Sequence, residues 1–204
     1  MTTIYVVRHG NTFDKGDTIT RVGAKTDLPL SVSGTAQAEA LATHFEGLAP
    51  QGFHVAYCSP LLRTRQTAEA ILSVQPGGIA LETLEFLREV DYGPDENRPE
   101  EEVVARIGEE ALRAWDEHAV PPPGWEIDPE QLKAAWRDLF VALGKTSSNK
   151  PVLIVTSNGI ARFLLDAVTT YQTEPASIKL KTGAYGTMRV SDETVTLINW
   201  NVRP

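Results

Sequence analysis

Three short stretches of this 204-residue sequence carry side chains suited to chemistry on an anion. Each follows a strand-like run. After Ile4-Tyr5-Val6-Val7 come Arg8, His9 and Gly10. After Phe53 to Tyr57 come Ser59 and, one helical turn in, Arg63. After Val152 to Val155 come Ser157, Asn158 and Gly159. In an open α/β sheet, sites form at the carboxyl ends of strands. An imidazole, two guanidiniums and two helix starts on one edge suit a phosphoryl group. Arginine makes bidentate, charge-assisted contacts to phosphate oxygens. Helix starts add free N–H groups and a favourable dipole. An arginine in the first turn of a helix, as at Arg63, opposes that dipole unless an anion is present.

The surrounding pattern supplies the elements that would position these groups. Ile4 to Val7 is continuously apolar, as expected for a strand buried on both faces. A polar loop runs from Arg8 to Val32. A helix follows, with Ser33 as the candidate N-cap and Ala38, Leu41, Ala42 and Phe45 on one stripe. Ser59-Pro60 reads as a cap followed by proline, opening a helix over Leu61 to Leu72. Ile79 to Leu84 is a third strand candidate. The segment from about Glu100 to Ala119 reads as a helix with Val104, Ile107, Ala111 and Trp115 on one face. Asp128-Pro129 opens another, with Leu132, Ala135, Trp136, Leu139, Phe140 and Leu143 at helical spacing and Gly144 as its C′ glycine. Val152 to Val155 is a fourth strand, followed by a helix over Ile160 to about Val168. Tyr185 to Val190 and Thr194 to Trp200 flank Ser191-Asp192-Glu193 as a closing hairpin. The expected fold is α/β in one domain over 1–204: a mostly parallel central sheet with helices on both faces, a C-terminal hairpin and a small helical cap inserted at about 94–145.

Four segments, taken together, resemble the histidine phosphatase superfamily with its phosphoglycerate mutase-like fold. Val7-Arg8-His9-Gly10-Asn11-Thr12 resembles the RHG signature. Asp27-Leu28-Pro29-Leu30-Ser31 with Gly34 and Gln37 is similar to D-x-P-L-[ST]-x-x-G-x-x-Q. Ser59-Pro60-Leu61-Leu62-Arg63 with Gln66-Thr67-Ala68 resembles S-P-L-x-R-A-x-Q-T-A, with Thr64 in place of alanine. Leu87-Arg88-Glu89 to Gly93 resembles L-x-E-x-x-x-G. The likeness covers nearly the whole chain. It implies that His9 attacks phosphorus and becomes a phosphohistidine, that Arg8 and Arg63 clamp the phosphoryl oxygens, and that Glu89 is the acid/base. It implies Asn11, Thr12, Arg21, Ser157 and Asn158 as substrate-binding residues. No metal and no organic cofactor is expected, because arginines supply the positive charge. The sequence departs from the family where V-[ST]-H-G-G is usual: Val155-Thr156-Ser157-Asn158-Gly159 puts Ser157 at the position of the second histidine. The expected function is a phosphatase acting on a small phosphorylated metabolite. The alternatives are a phosphate-binding or scaffold domain with little turnover, and a phosphoglycerate-type mutase.

Composition narrows the field further. Hydrophobic residues at 42% and charged residues at 23% are ordinary for a globular domain. The balance of 19 basic against 27 acidic residues gives a net charge of −8. Between Pro94 and Asp128 there are 11 acids and 3 bases, so that segment holds the whole excess. A wide basic surface for nucleic acid is therefore not expected. The lone Cys58 allows no internal disulfide and no zinc site of several thiolates. It also fails the C-x5-R spacing of thiol phosphatases, since position 64 is threonine. With no secretory pattern and no membrane-length apolar run, a cytoplasmic location without membrane contact is expected. A homodimer through an apolar cap face is compatible with the sequence.

Overall fold

The computed structural model describes residues 1–146, 148–192 and 194–204. Its centre is a seven-stranded sheet in the order β3-β2-β4-β1-β6-β7-β5. The parallel part comprises β1 (Thr2–Arg8), β2 (Val55–Cys58), β3 (Leu81–Thr83) and β4 (Val152–Thr156). β6 (Tyr185–Ser191) joins β1 antiparallel and pairs with β7 (Thr194–Val202), whose far edge carries the two-residue β5 (Thr170–Tyr171). The expected sheet and hairpin are thus present. Glu193 of the expected turn lies outside the described residues.

Alternation along the central strands divides two cores. Ile4, Val6, Val152 and Ile154 face one side, with Trp136, Phe140 and Leu143. Tyr5, Val7, Leu153 and Val155 face the other, with Leu41, Phe45 and Ile71. Helices α1 (Val32–Leu48) and α2 (Leu62–Ser73) cover the second side. Helix α4 (Pro129–Gly144) covers the first, against β6 and the 3-10 turn Arg162–Ala167. The segment expected as a cap therefore divides. α4 belongs to the layer on the sheet, whereas α3 (Glu100–His118) borders the strand-end cleft through Glu100, Trp115 and Asp116.

Several helix boundaries differ from expectation for identifiable reasons. Ser31, not Ser33, caps α1 by accepting from the Gly34 N–H. Asp14, arriving from the preceding loop, accepts from the Val32 and Ser33 N–H groups. α2 begins at Leu62, because Leu61 is still extended, and the Leu62 N–H donates to Asp27 at 2.7 Å. Ser59 instead accepts from the Leu61 N–H. Only Asp128-Pro129 caps as read, with Asp128 accepting from the Gln131 N–H. α3 is kinked at Gly108, at φ 82° and ψ 155°; its buried residues are Val103, Leu112 and Trp115, so of the expected stripe Trp115 is buried while Val104, Ile107 and Ala111 are only partly so. Gly144 ends α4 without a positive φ; it is needed for space, since a Cβ there would meet the Asp192 carbonyl oxygen at 2.9 Å. The expected helix after β4 is one α turn, α5 (Asn158–Ala161), and then 3-10. The Ile160 carbonyl accepts from the Trp136 indole at 3.0 Å, in competition with the helical ladder.

Candidate active site

Beyond the carboxyl ends of β1 and β4 lies a cleft of about 660 Å³. Arg8, His9, Arg63 and Glu89 all line it, as do Asn11, Thr12, Arg21 and Asn158. Ser157 is not part of this lining. It is fully buried between β4 and α5, and its hydroxyl has no hydrogen-bond partner among the described residues. No cluster of potential metal ligands occurs among the described residues.

His9 emerges from the end of β1 and is 6% exposed. Its Nδ1 lies 2.7 Å from the Gly10 carbonyl oxygen. A carbonyl only accepts, so Nδ1 carries the proton and Nε2 keeps its lone pair. Burial pushes the His9 pKa well below the ordinary value, and Arg63 and then Arg8 push it the same way. The imidazole is therefore neutral, with one defined nucleophilic nitrogen. Gly10 is required by close packing. A Cβ there would sit 2.3 Å from the Gly34 carbonyl oxygen, at the start of α1.

The two arginines are held from behind. Arg63 is almost wholly buried, with Nη1 donating to the Thr26 carbonyl at 2.9 Å and Nη2 to the Gly23 carbonyl at 3.2 Å. Arg8 donates through Nη1 to the Leu180 carbonyl at 2.9 Å, and its buried Nε has no partner among the described residues. A guanidinium has five N–H donors, so each of these arginines keeps donors free for a further acceptor. Neutral carbonyls orient these cations without cancelling their charge. Burial lowers the pKa of both, and the carboxylate of Glu89 acts in the opposite direction.

Glu89 is fixed by two backbone amides. Val90 N–H donates to Oε1 at 2.9 Å and Gly159 N–H to Oε2 at 3.3 Å. A Cβ on residue 159 would come within 2.2 Å of Oε1, so glycine is what permits this approach. At each of the two helix starts one N–H is taken by a protein carboxylate. The start of α5 donates to Glu89 and that of α2 to Asp27, both protein carboxylates.

Further side chains brace these groups, and of them Glu96 and Arg162 carried no expectation from the sequence. Oε1 of Glu96 accepts from the Gly23 and Lys25 N–H groups and from the Thr26 hydroxyl, shaping the loop whose carbonyls hold Arg63. Gln37 accepts from the Asn11 N–H, and Gln66 from the Leu30 N–H. Tyr92 lies buried in the cleft wall, and burial followed by the Glu89 charge raises its pKa, so the phenol keeps its proton. Arg21 ion-pairs with Glu100 at 2.5 Å across the cleft mouth. Arg162 is 3% exposed and lines the cleft, with its guanidinium 4.0 Å above the Trp115 ring. Its sequence signal was a charge set directly before the apolar run Phe163-Leu164-Leu165.

Residues 4–203 match the histidine phosphatase superfamily (branch 1). The chain belongs to that superfamily. Among curated relatives, the 2,3-bisphosphoglycerate-dependent phosphoglycerate mutase of Rhizobium etli is 28% identical over 175 residues, covering 82% of this chain and 80% of that protein. Among solved structures, the α-ribazole phosphatase from Shigella flexneri has a TM-score of 0.73 at 22% identity, covering 99% of this chain and 97% of that one. The mycobacterial glucosyl-3-phosphoglycerate phosphatase has a TM-score of 0.76 at 20% identity, covering all of both chains. These structures share the fold of this protein.

Proposed function

We propose that this protein is a phosphatase that hydrolyses a small phosphomonoester through a phosphohistidine at His9. One observation carries the reading. A neutral, buried imidazole with a defined nucleophilic Nε2 shares a cleft with two carbonyl-oriented guanidiniums and a fixed carboxyl group. In the first step Nε2 bonds to phosphorus as the phosphorus–oxygen bond to the alcohol breaks. The carboxylic acid form of Glu89 gives its proton to the leaving oxygen. In the second step the Glu89 carboxylate takes a proton from water. The water oxygen bonds to phosphorus, and the phosphorus–nitrogen bond breaks to release phosphate and His9. Arg8 and Arg63 hold the equatorial oxygens and offset charge as it spreads in the transition state. Asn11, Thr12 and Asn158 form the polar wall around the phosphoryl group, and Ser157 lies outside the cleft lining with its buried hydroxyl unpartnered among the described residues.

The test is release of phosphate from a chromogenic aryl phosphate, with His9→Ala as the control. We expect turnover by the wild type, insensitive to chelators, and its loss in His9→Ala. Equal rates in the two proteins would refute the reading. The phosphoglycerate mutase relatives favour a second reading, in which the phosphohistidine returns its phosphoryl group to a substrate. Phosphate transfer between phosphoglycerates without net phosphate release would establish it.

A further inference from the structure

We infer that the side-chain amide of Asn158 is a further catalytic group of this site: its Nδ2 donates to a phosphoryl oxygen in the transition state, where the superfamily pattern would use its second histidine. The inference rests on the phosphatase reading. It assigns a role that the pattern does not contain, since residue 158 stands where V-[ST]-H-G-G has glycine. Ser157, at the position of the histidine itself, is fully buried and outside the cleft lining. Asn158 lines the cleft together with Arg8, His9, Arg63 and Glu89.

Hydrogen bonding fixes which end of the amide faces the cleft. The Leu180 N–H donates to Asn158 at 2.9 Å. An N–H meets only an acceptor, so the atom it holds is Oδ1 and the NH2 group is turned away from it. Nδ2 finds no acceptor among the described residues. The same residue holds Arg8, whose Nη1 donates to the Leu180 carbonyl at 2.9 Å. One residue's backbone therefore anchors an amide and a guanidinium, each with donors left over. The backbone around Asn158 reaches both reacting groups. The Thr156 carbonyl accepts from the His9 N–H at 3.2 Å, and the Gly159 N–H donates to Glu89 at 3.3 Å. Asn158 thus stands between contacts to the nucleophile and to the acid/base.

The anchor is itself pinned on either side. The Lys179 carbonyl accepts from the Trp200 indole at 3.2 Å and from Nδ2 of Asn201 at 2.6 Å. The Lys181 N–H donates to Oδ1 of Asn201 at 2.7 Å, and the Gly183 N–H donates to the His9 carbonyl at 3.2 Å. The end of β7 thereby fixes the turn that fixes Asn158. A donor held in this way needs no reorganisation as charge develops on the phosphoryl oxygens. An amide also keeps its protons at every pH at which the enzyme works, which an imidazolium does not.

The experiment uses Asn158→Asp and Asn158→Ala. Aspartate keeps an oxygen for the Leu180 N–H and puts a carboxylate oxygen where the NH2 group was, whereas alanine removes both. Melting temperature, kcat and KM for an aryl phosphate are measured, with calorimetric binding of vanadate and of inorganic phosphate. Vanadate takes up the five-coordinate geometry of the transition state, and phosphate does not. Asn158→Asp is expected to melt as the wild type does and to lose about a hundredfold in kcat. Asn158→Ala is expected to lose at least about tenfold in kcat with KM changed by no more than about twofold. Its vanadate affinity should fall at least about fivefold more than its phosphate affinity. Wild-type kcat in Asn158→Asp overturns the inference. So does a rise in KM alone in Asn158→Ala, or an equal loss of vanadate and phosphate binding. If the alanine variant fails to fold, the vanadate-to-phosphate preference in Asn158→Asp decides. A wild type that releases no phosphate, yet loses its vanadate preference in the variants, refutes the phosphatase reading and leaves the Asn158 donor standing.

Discussion

At the residue scale, the proposed chemistry depends on the protonation of one imidazole. Burial, then Arg63 and Arg8, hold the His9 pKa well below the ordinary value. The nucleophile therefore stays neutral as the pH falls through the range where an exposed histidine becomes charged. We predict that the acid limb of kcat/KM for an aryl phosphate, corrected for ionisation of the substrate, lies below about pH 6.5. An enzyme limb at or above that value would contradict the assignment. The same shift has a cost in stability. The unfolded chain takes up a proton at the ordinary pKa while the native chain does not, so stability falls as the pH drops below that value. Ser157 supplies a second residue-scale prediction. Its hydroxyl is buried and orphaned, so Ser157→Ala removes an unsatisfied group and leaves the melting temperature equal or higher. If the hydroxyl meets the phosphoryl group, kcat/KM falls by about tenfold in the same variant. Ser157→His is expected to raise kcat by restoring a charged donor. Unchanged activity in Ser157→Ala and no gain in a folded Ser157→His would remove this residue from the site.

At the scale of elements, the strand ends were legible and the braces behind them were not. Apolar runs located β1, β2 and β4, and motif residues located His9, Arg63 and Glu89, because both signals are local. Glu96 was invisible because its task, gathering amides and a hydroxyl around residues 23–26, depends on contacts some 70 positions away in sequence. Asp14 and Asp27 support the starts of α1 and α2 from distant loops, so the caps expected at Ser33 and Ser59 were misplaced: Ser31 caps α1, and α2 starts at Leu62. Arg162 was passed over because a cation beside Phe163 and Leu164 looks like a helix surface until Trp115 is seen beneath it. Gly159 belongs to this scale too, since it lets α5 dock on Glu89. Gly159→Ala would push a methyl into Oε1 and displace the carboxyl group. We expect kcat for alkyl phosphates to fall by roughly a hundredfold, as for loss of a general acid. Nitrophenyl phosphate, whose leaving group needs less protonation, should suffer much less. Equal losses on both would show that Glu89 is not the proton donor.

At the scale of the whole molecule, charge is distributed against the chemistry and then overcome locally. The net charge of −8 resides in the segment that includes α3, at the rim of a cleft lined by Arg8, Arg63 and Arg162. Arg21 and Lys179 neutralise Glu100 and Asp116 at the mouth, while the buried guanidiniums attract within. Exposed charges are screened by salt far more than buried ones. Raising ionic strength from low values to about 0.15 M should therefore lower KM for a polyanionic phosphomonoester. A KM that is unchanged or rises would show that the acidic face does not reach the entering substrate. No helix among the described residues is long and apolar enough to cross a membrane.

The most direct test of the central claim is isolation of the phosphoenzyme. Protein mixed with a labelled phosphomonoester, quenched within one turnover in alkali and digested should carry the label on the peptide containing His9. The bond should be stable in base and labile in acid, and the label should be absent from His9→Ala. Turnover with no label at His9, or with label on another residue, would contradict the account.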